Sequence, residues 1–210
     1  MVEKSRVAGL YAIADTHYLQ DARLTTAVME AIEGGARTVQ YRDKKRDAKT
    51  RINQAAELAK LCRQQGVLFI VNDDPELAEQ VQADGVHLGR EDASLAHARE
   101  LLGPAAIIGV SCYDELPRAI AAEAAGADYV AFGRFFPSRT KPQAMPTEPA
   151  LLHEARKRLH VSIVAIGGIT PENGASLIAA GADALAIIEG VFGQGDVRAA
   201  ARRYAQLFDG

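Results

Sequence analysis

Short apolar segments alternate with helix-forming segments eight times along this chain, and this alternation limits the fold more than any other feature. The apolar segments are often β-branched and are bounded by turn residues, which is typical of strands. The predicted strands are Leu10–Asp15, Thr38–Asp43, Leu68–Asn72, Gly85–Leu88, Ile107–Ser111, Tyr129–Gly133, Ser162–Gly167 and Ala184–Ile188. The segments between them are rich in Ala, Leu, Glu, Arg and Gln, and Arg51–Gln65 has the apolar stripe of an amphipathic helix.

Eight β-then-α units can close into a parallel barrel or form an open, doubly wound sheet. We favour a single α/β domain over residues 1–210, folded as a (β/α)₈ or TIM barrel, because this fold uses eight units and no GxGxxG motif follows the first strand. Glycines at helix exits are predicted left-handed caps, namely Gly35, Gly66, Gly103, Gly126 and Gly181. Pro75 and Pro171 are predicted to lie in the first turns of helices.

Composition excludes several classes of function. The chain has 24 Lys and Arg against 27 Asp and Glu, a net charge of −3, so no basic excess would attract nucleic acid or an anionic membrane. Apolar runs such as Ala184–Ile188 are far shorter than the roughly 20 residues of a membrane span. The N-terminus lacks the apolar region of a signal peptide, and there are only two cysteines, so we expect a cytoplasmic protein.

Polar residues collect at the predicted carboxyl ends of the strands, where barrel enzymes build their sites. The richest segment is Gln40-Tyr41-Arg42-Asp43-Lys44. Side chains alternate along a strand, so Gln40, Arg42 and Lys44 project to one side. An amide, a guanidinium and an ammonium together suit a polar ring that carries phosphates. The alternative is a solvated strand end with incidental charges.

A second polar group comprises Asn72, Asp73 and the later Asp92. Two carboxylates on neighbouring loops, close to phosphate-binding cations, suit Mg²⁺, which prefers oxygen ligands and commonly bridges to substrate phosphates. The alternative is that Asp73 or Asp74 caps the helix that begins at Pro75, and Asp74 is better placed to do so.

At the ends of the seventh and eighth predicted strands, the candidate ligands for phosphate are backbone N–H groups and not charged side chains. Gly167-Gly168 and Ile188-Glu189-Gly190 stand where many barrels bind phosphate through N–H groups, although they also suit tight turns alone. A long loop from Phe135 to about Pro149 has the composition of a lid or of a spacer without function. His87 is predicted to point into the barrel, either to bond a substrate ring or to serve as a satisfied interior histidine.

Several motifs occur in order over nearly the whole chain: Gln40-Tyr41-Arg42-Asp43-Lys44, Asn72-Asp73, Ala83-Asp84-Gly85-Val86-His87-Leu88-Gly89 with Asp92, Gly109-Val110-Ser111, Ser138-x-Thr140-Lys141, and Ala165-Ile166-Gly167-Gly168-Ile169. This ordered set resembles the motifs of the thiamine phosphate synthase family. The resemblance implies a barrel enzyme that joins 4-amino-5-hydroxymethyl-2-methylpyrimidine diphosphate to a thiazole phosphate, carboxylated or plain. The products would be thiamine phosphate and pyrophosphate.

The resemblance also implies roles for individual residues. The pyrimidine diphosphate would be held by Gln40, Tyr41, Arg42, Asp43, Lys44, Asn72, His87, Ser111 and Lys141. Among these, Arg42, Lys44 and Lys141 would act in catalysis, while Asp73 and Asp92 would bind Mg²⁺. The thiazole phosphate would be held by Ser138, Arg139, Thr140, Gly168, Ile188 and Glu189.

One residue departs from the family pattern, which usually has a small hydroxyl residue where this chain has Glu189. A carboxylate beside a phosphate is repulsive, so we predict that the backbone N–H binds there and the side chain turns away. Three other functions stay open: a thiazole tautomerase-like isomerase, another phosphate-binding isomerase or epimerase of the same fold, and a non-catalytic sensor of pathway phosphates. The cluster on strand two and the carboxylate pair argue against the isomerases, and the chain has no segment that resembles an output module.

Overall fold

Eight parallel strands pair in sequence order and close into a barrel, with β8 hydrogen-bonded to β1, in the computed structural model, which describes residues 7–137 and 147–209. The strands in this part of the chain are β1 (Gly9–Asp15), β2 (Ala36–Arg42), β3 (Leu68–Asn72), β4 (Gly85–Leu88), β5 (Ile107–Tyr113), β6 (Tyr129–Gly133), β7 (Ser162–Ile166) and β8 (Ala184–Ile187). The barrel predicted from the sequence is therefore confirmed, and the predicted strand ends agree with the observed ones to within two residues.

The helices surround the barrel. Those in the described residues are α1 (Asp21–Glu33), α2 (Ala48–Gln65), α3 (Pro75–Gln80), α4 (Leu95–Leu102), α5 (Leu116–Ala124), α6 (Ala150–Arg158), α7 (Gly174–Ala179), α8 (Glu189–Phe192) and α9 (Val197–Ala205), followed by a 3₁₀ turn at Gln206–Phe208. Across the described residues, none of these helices has the length and apolar character needed to cross a membrane.

Helix ends follow local chemistry, and they differ from the predictions at the start of α2, the cap of α4 and the start of α7. The carboxylate of Asp47 accepts from the Thr50 N–H and begins α2 three residues before the predicted Arg51. Pro75 does start α3, but Pro171 lies in a turn and α7 begins only at Gly174. Of the predicted glycine caps, Gly66 is the left-handed cap of α2, whereas Gly103 caps α4 with φ +80° and ψ 177°. The other three glycines, Gly35, Gly126 and Gly181, lie one residue after the cap and have positive φ values of 105°, 95° and 116°, as expected for glycines that end a helix.

Side chains alternate between two apolar layers. Outward residues of the strands, such as Val86 and Leu88, pack with the helices in the larger core. The inward residues form a smaller core inside the barrel, which includes Tyr11, Tyr129 and Val164. The period of two along each strand thus decides which residues face the helices and which line the barrel.

Three aspartates brace the amino-terminal end of the barrel. Asp84, Asp128 and Asp183 each precede an even-numbered strand. Each carboxylate accepts a 2.8 Å hydrogen bond from a backbone N–H of the preceding odd-numbered strand, at Phe69, Ile108 and Ile163 respectively. Arg99 and Arg156 pair with the second and third of these aspartates. The opposite, carboxyl-terminal end carries the predicted site.

Candidate functional site

The predicted site residues of β2 divide between the two faces of the strand. Gln40 is buried inside the barrel, where its Nε2 donates to the Tyr11 hydroxyl at 2.8 Å. Arg42 lies further up the same face, and its guanidinium pairs with Asp15 at the end of β1. The Lys44 Nζ lies 3.1 Å from Asp73. The structure therefore brings these three predicted residues to one side, as strand alternation requires.

Tyr41 and Asp43 lie on the other face, and their side chains are directed at the helical layer. The Tyr41 hydroxyl donates to Gln54 of α2 at 2.9 Å. The Asp43 side chain is 0% exposed and pairs with Arg46 at 3.1 Å. Direct contact of these two side chains with a ligand inside the barrel is therefore not supported by the geometry. Their contacts instead hold the β2–α2 turn, which carries Lys44.

A cavity of about 370 Å³ opens beside Arg42. It is lined by Asp15, Thr16, His17, Tyr18, Arg42, Lys44 and Lys45, and we call it the cation cavity. His17 and Lys45 were missed by the sequence analysis, and the Lys45 Nζ lies 3.2 Å from the His17 Nδ1. A positively charged residue beside Lys44 was the available signal, but His17 comes from another loop and only the fold brings it here.

Asp73 and Asp92 approach each other at the ends of β3 and β4. Burial, followed by a hydrogen bond between the two carboxyls, raises the pKa of Asp92, and Lys44 opposes that rise. The Asp92 Oδ2 also accepts from the Gly89 N–H at 2.6 Å. Asp74 is separate, because it caps α3 through the Leu77 N–H and pairs with Arg51. The capping alternative therefore holds for Asp74 and leaves Asp73 facing Asp92.

This carboxylate pair suits a hard cation that keeps most of its water. Among the residues that the structure describes, no three His, Cys, Asp or Glu side chains come together as a metal site. Mg²⁺ commonly takes one or two carboxylates and completes its octahedron with water and phosphate oxygens. When both carboxyls of such a close pair are ionised they repel each other, and a divalent cation would relieve that repulsion.

His87 points into the barrel, as expected, and both of its ring nitrogens are bonded within the protein. Nδ1 lies 2.9 Å from the Tyr129 hydroxyl and Nε2 lies 2.8 Å from the Ser111 Oγ. The ring stacks on Tyr129, with centroids 5.5 Å apart. His87 is partly buried. Desolvation by the surrounding protein atoms lowers the pKa of His87 to about 4, so the ring is neutral at pH 7. These contacts favour the satisfied interior histidine over a free ligand for substrate.

The tyrosines beside His87 were also missed by the sequence analysis. The Tyr11 and Tyr129 hydroxyls lie 2.9 Å apart, and burial raises the pKa of both. Their inward position follows from strand alternation, but their contact depends on barrel closure. Asn72 ends β3 at the same level, paired in register with His87, and is half-buried.

A larger cavity of about 660 Å³ lies at the ends of β7 and β8. Its walls include Gly167, Gly168, Ile188 and Glu189, and we call it the glycine cavity. Gly168 has φ +66°, and a Cβ there would lie 2.5 Å from the Phe136 carbonyl oxygen, so only glycine fits. Tyr18 lines this cavity and the cation cavity, so the two are neighbours on the same rim.

Glu189 begins α8 at the wall of the glycine cavity. A Cβ on Gly193 would lie 2.8 Å from the Glu189 Cγ, so the stem of the side chain runs along the helix towards Gly193. Burial, and next the charge of Glu189, raises the pKa of Tyr18. The other predicted thiazole-phosphate residues, Ser138, Arg139 and Thr140, and the predicted catalytic Lys141 lie outside the described residues.

Comparison with known proteins identifies the family of this chain and agrees with the barrel fold. Residues 10–191 match the family model described as thiamine monophosphate synthase. The chain is 55% identical to the thiamine-phosphate synthase of Nitrosococcus oceani, over 97% of this chain and 94% of that protein. It is also 55% identical to the thiamine-phosphate synthase of Chromobacterium violaceum, over 97% of each. The solved thiamine phosphate pyrophosphorylase of Pyrococcus furiosus superposes with a TM-score of 0.86 at 34% identity, over 96% of each chain.

A closed (β/α)₈ barrel with a cation cavity, a carboxylate pair and a glycine cavity on one rim defines the class of barrel proteins that bind phosphorylated small molecules. Within that class, the chain belongs to the thiamine monophosphate synthase family.

Proposed function

We propose that this chain joins the pyrimidinylmethyl group of 4-amino-5-hydroxymethyl-2-methylpyrimidine diphosphate to the nitrogen of a thiazole phosphate, with release of pyrophosphate. The observation that carries the proposal is the neighbouring position of two unlike cavities that share Tyr18. One is lined by cations and lies beside two carboxylates, and the other is lined by glycine backbone. This pairing suits a diphosphate and a monophosphate that must meet.

In this proposal the cation cavity side takes the diphosphate. Arg42 and Lys44 stand on the rim, and Lys141 completes the predicted cationic set. The pairing of Arg42 with Asp15 supports the role, because a carboxylate behind the guanidinium holds its orientation while leaving other N–H donors for phosphate oxygens. The pyrimidine ring would lie deeper, against Gln40, Asn72, His87 and Ser111.

Asp73 and Asp92 would hold Mg²⁺ in this proposal. When bound, the ion would neutralise charge on the departing diphosphate. The role of Lys44 follows from its contact with Asp73, since the ammonium already offsets one of the two carboxylates. Lys44 would move from that carboxylate to a phosphate oxygen once the cation is present.

The reaction needs positioning more than acid–base chemistry. The bond between the exocyclic CH₂ and the diphosphate oxygen breaks, and its electron pair leaves with pyrophosphate. Electrons from the 4-amino group stabilise the resulting cation, and the thiazole nitrogen then forms the new bond to the CH₂. The chain's work would be to hold both reactants in line and to stabilise the negative leaving group through Arg42, Lys44 and Lys141.

The glycine cavity would take the thiazole phosphate, together with Ser138, Arg139 and Thr140. Gly168 and the backbone at Ile188 and Glu189 would bind its phosphate through N–H groups. The Glu189 stem runs along α8, but the charge of its carboxylate reaches Tyr18 on the wall of the same cavity, so the turning of this side chain away from the phosphate stays our prediction. A ligand-bound structure with the carboxylate aimed at the phosphate would contradict it.

The proposal also concerns the setting of the enzyme. Cys62 and Cys112 are both free and buried, which supports a reducing, cytoplasmic location. Small phosphorylated molecules are the proposed partners, with neither nucleic acid nor membrane involved.

One assay tests the function. Purified protein is mixed with each substrate alone and with both, with Mg²⁺ or with a chelator, and pyrophosphate and thiamine phosphate are measured. We expect both products only when both substrates and Mg²⁺ are present. Conversion of the thiazole phosphate alone would instead identify an isomerase, and binding without turnover would identify a sensor. Arg42→Ala should reduce turnover by at least about 100-fold without loss of fold, since it removes a phosphate-directed charge.

A further inference from the structure

A chain of five polar side chains crosses the barrel interior from β2 to β5. Gln40 Nε2 donates to the Tyr11 hydroxyl at 2.8 Å, and that hydroxyl lies 2.9 Å from the Tyr129 hydroxyl. Tyr129 lies 2.9 Å from His87 Nδ1, and His87 Nε2 lies 2.8 Å from Ser111 Oγ. Both ends of this chain are predicted to touch the pyrimidine, whereas its centre lies below them.

The hydrogen bonds that join these five side chains run in one direction. Tyr11 is 1% exposed, and within the described residues its hydroxyl meets only Gln40 and Tyr129. Because Gln40 donates to it, the hydroxyl proton of Tyr11 has only the Tyr129 oxygen to bond. The reverse assignment would leave a buried O–H without an acceptor, at a cost of about 1–3 kcal/mol.

The direction then continues to the far end. Tyr129 has accepted from Tyr11, so its own proton goes to His87 Nδ1. A neutral imidazole carries one N–H, which must therefore sit on Nε2 and donate to Ser111 Oγ. The Ser111 proton is left for a ligand. At the other end, one N–H of the Gln40 amide is engaged by Tyr11, which fixes the orientation of the amide and leaves its carbonyl oxygen as an acceptor.

Neighbouring residues pack closely around the tyrosine rings of this network. Gly109 faces the barrel interior, and a Cβ there would lie 1.9 Å from the Tyr129 Cζ, so only glycine leaves room for that ring. The rings of Tyr11 and Tyr129 also meet edge to face, with centroids 6.0 Å apart. Neither hydroxyl oxygen can move to another partner without moving a packed ring.

We propose that Tyr11 and Tyr129 are positioning residues that hold Gln40 as a hydrogen-bond acceptor and Ser111 as a donor, and so select a pyrimidine with an N–H donor at its 4-position over one with a carbonyl there. The inference rests on the proposed function, and it adds a specificity mechanism to that function. A 4-oxo ring would set its oxygen against the Gln40 carbonyl, and two acceptors repel each other. An amide that is free to turn over would present N–H₂ instead and would accept such a ring.

The fixed orientation of the Gln40 amide also affects the rate of the reaction. Positive charge grows on the 4-amino group as pyrophosphate leaves, so its N–H becomes a stronger donor in the transition state than in the ground state. An acceptor already held in place therefore raises kcat more than it lowers KM.

The test compares wild type with Tyr11→Phe, which keeps the ring and removes the hydroxyl. Inhibition constants are measured for two unreactive pyrimidine monophosphates that differ only in carrying 4-amino or 4-oxo. We expect wild type to prefer the 4-amino compound by about 30-fold or more, the range given by one buried polar mismatch. The variant should prefer it by less than about 3-fold, with kcat reduced more than the KM of either substrate.

Thr38→Val is the matched control. Thr38 faces the barrel interior below Gln40 and is fully buried, and its hydroxyl has no hydrogen-bond partner among the residues that the structure describes. Removing that hydroxyl perturbs the same core and leaves the network intact, so the 30-fold preference should persist. An unchanged preference in Tyr11→Phe, or an equal loss in Thr38→Val, would overturn the inference.

A second measurement needs no variant in the network. Imidazole ¹⁵N spectra of wild type report which ring nitrogen carries the proton, and His87 can be assigned among the five histidines by comparison with His87→Gln. We expect a neutral ring protonated at Nε2, and protonation at Nδ1 would refute the direction of the chain. Absence of thiamine phosphate formation by wild type would instead refute the proposed function, so the two failures are distinguishable.

Discussion

Replacing Asp183 with Ala should destabilise the barrel by more than a surface change would, because this side chain joins two strands. Its Oδ2 accepts from the buried backbone N–H of Ile163 in β7 at 2.8 Å, immediately before β8 begins. The same carboxylate pairs with Arg156 of α6, with side chains 34% and 29% exposed.

The magnitude follows from these two contacts. A buried N–H that loses its acceptor costs about 1–3 kcal/mol. A half-exposed ion pair adds about 0.2–1 kcal/mol. We therefore expect Asp183→Ala to lower the free energy of unfolding by about 1–4 kcal/mol, which corresponds to a fall in Tm of roughly 2–16 °C for a chain of this size.

Asp183→Asn separates the contributions. Its amide oxygen can still accept from the Ile163 N–H, while the charge that pairs with Arg156 is gone. We expect a loss of about 1 kcal/mol, close to the worth of the ion pair and the charge on the hydrogen bond. Asp128→Ala should repeat the Asp183→Ala result, since Asp128 accepts from Ile108 in the same way.

Urea unfolding monitored by circular dichroism measures these losses, and hydrogen exchange of the Ile163 amide reports the contact directly. Asp47→Ala is the control, because Asp47 caps α2 at an exposed position and joins no strands. Its loss should be smaller than that of Asp183→Ala. Equal losses in Asp183→Ala and Asp183→Asn, or unchanged protection of the Ile163 amide, would refute the reasoning.

Three further predictions concern the site. Gly109→Ala should lower the free energy of unfolding by at least about 2–3 kcal/mol, because its Cβ would overlap the Tyr129 ring. In the control Gly195→Ala, no atom of the described residues lies within 4 Å of the new Cβ, so urea unfolding should show little loss. Asp92→Asn should raise the Mg²⁺ concentration for half-maximal turnover by at least about tenfold, since one of two carboxylate ligands is lost, and an unchanged titration would exclude the site. His87 has its pKa lowered to about 4, so unfolding favours its protonation; stability is full above pH 6.5 and falls as the pH drops from 6.5 to 4. At pH 5 the loss is about 1–2 kcal/mol, and His87→Gln should abolish it.

The sequence predicts the barrel and one face of its site well because both depend on local periods. Alternation of strand and helix indicates eight units, and alternation within β2 places Gln40, Arg42 and Lys44 together. The same rule places Tyr41 and Asp43 on the other face, although the family resemblance counted them among the ligand residues. Local chemistry likewise identifies Asp74 as a helix cap, which leaves Asp73 for the rim.

Barrel closure decides what local periods cannot. Tyr11 and Tyr129 are 118 residues apart, and they meet only because β8 pairs with β1 and the inward rings share a level. The pairing of β1 with β2 brings His17 to Lys45, and the pairing of β3 with β4 brings Asp73 to Asp92. The amino-acid sequence by itself determines which face each side chain occupies, because that depends on neighbours two residues away. The partners of a side chain across the barrel depend on the stagger of all eight strands, and that stagger exists only in the closed tertiary structure.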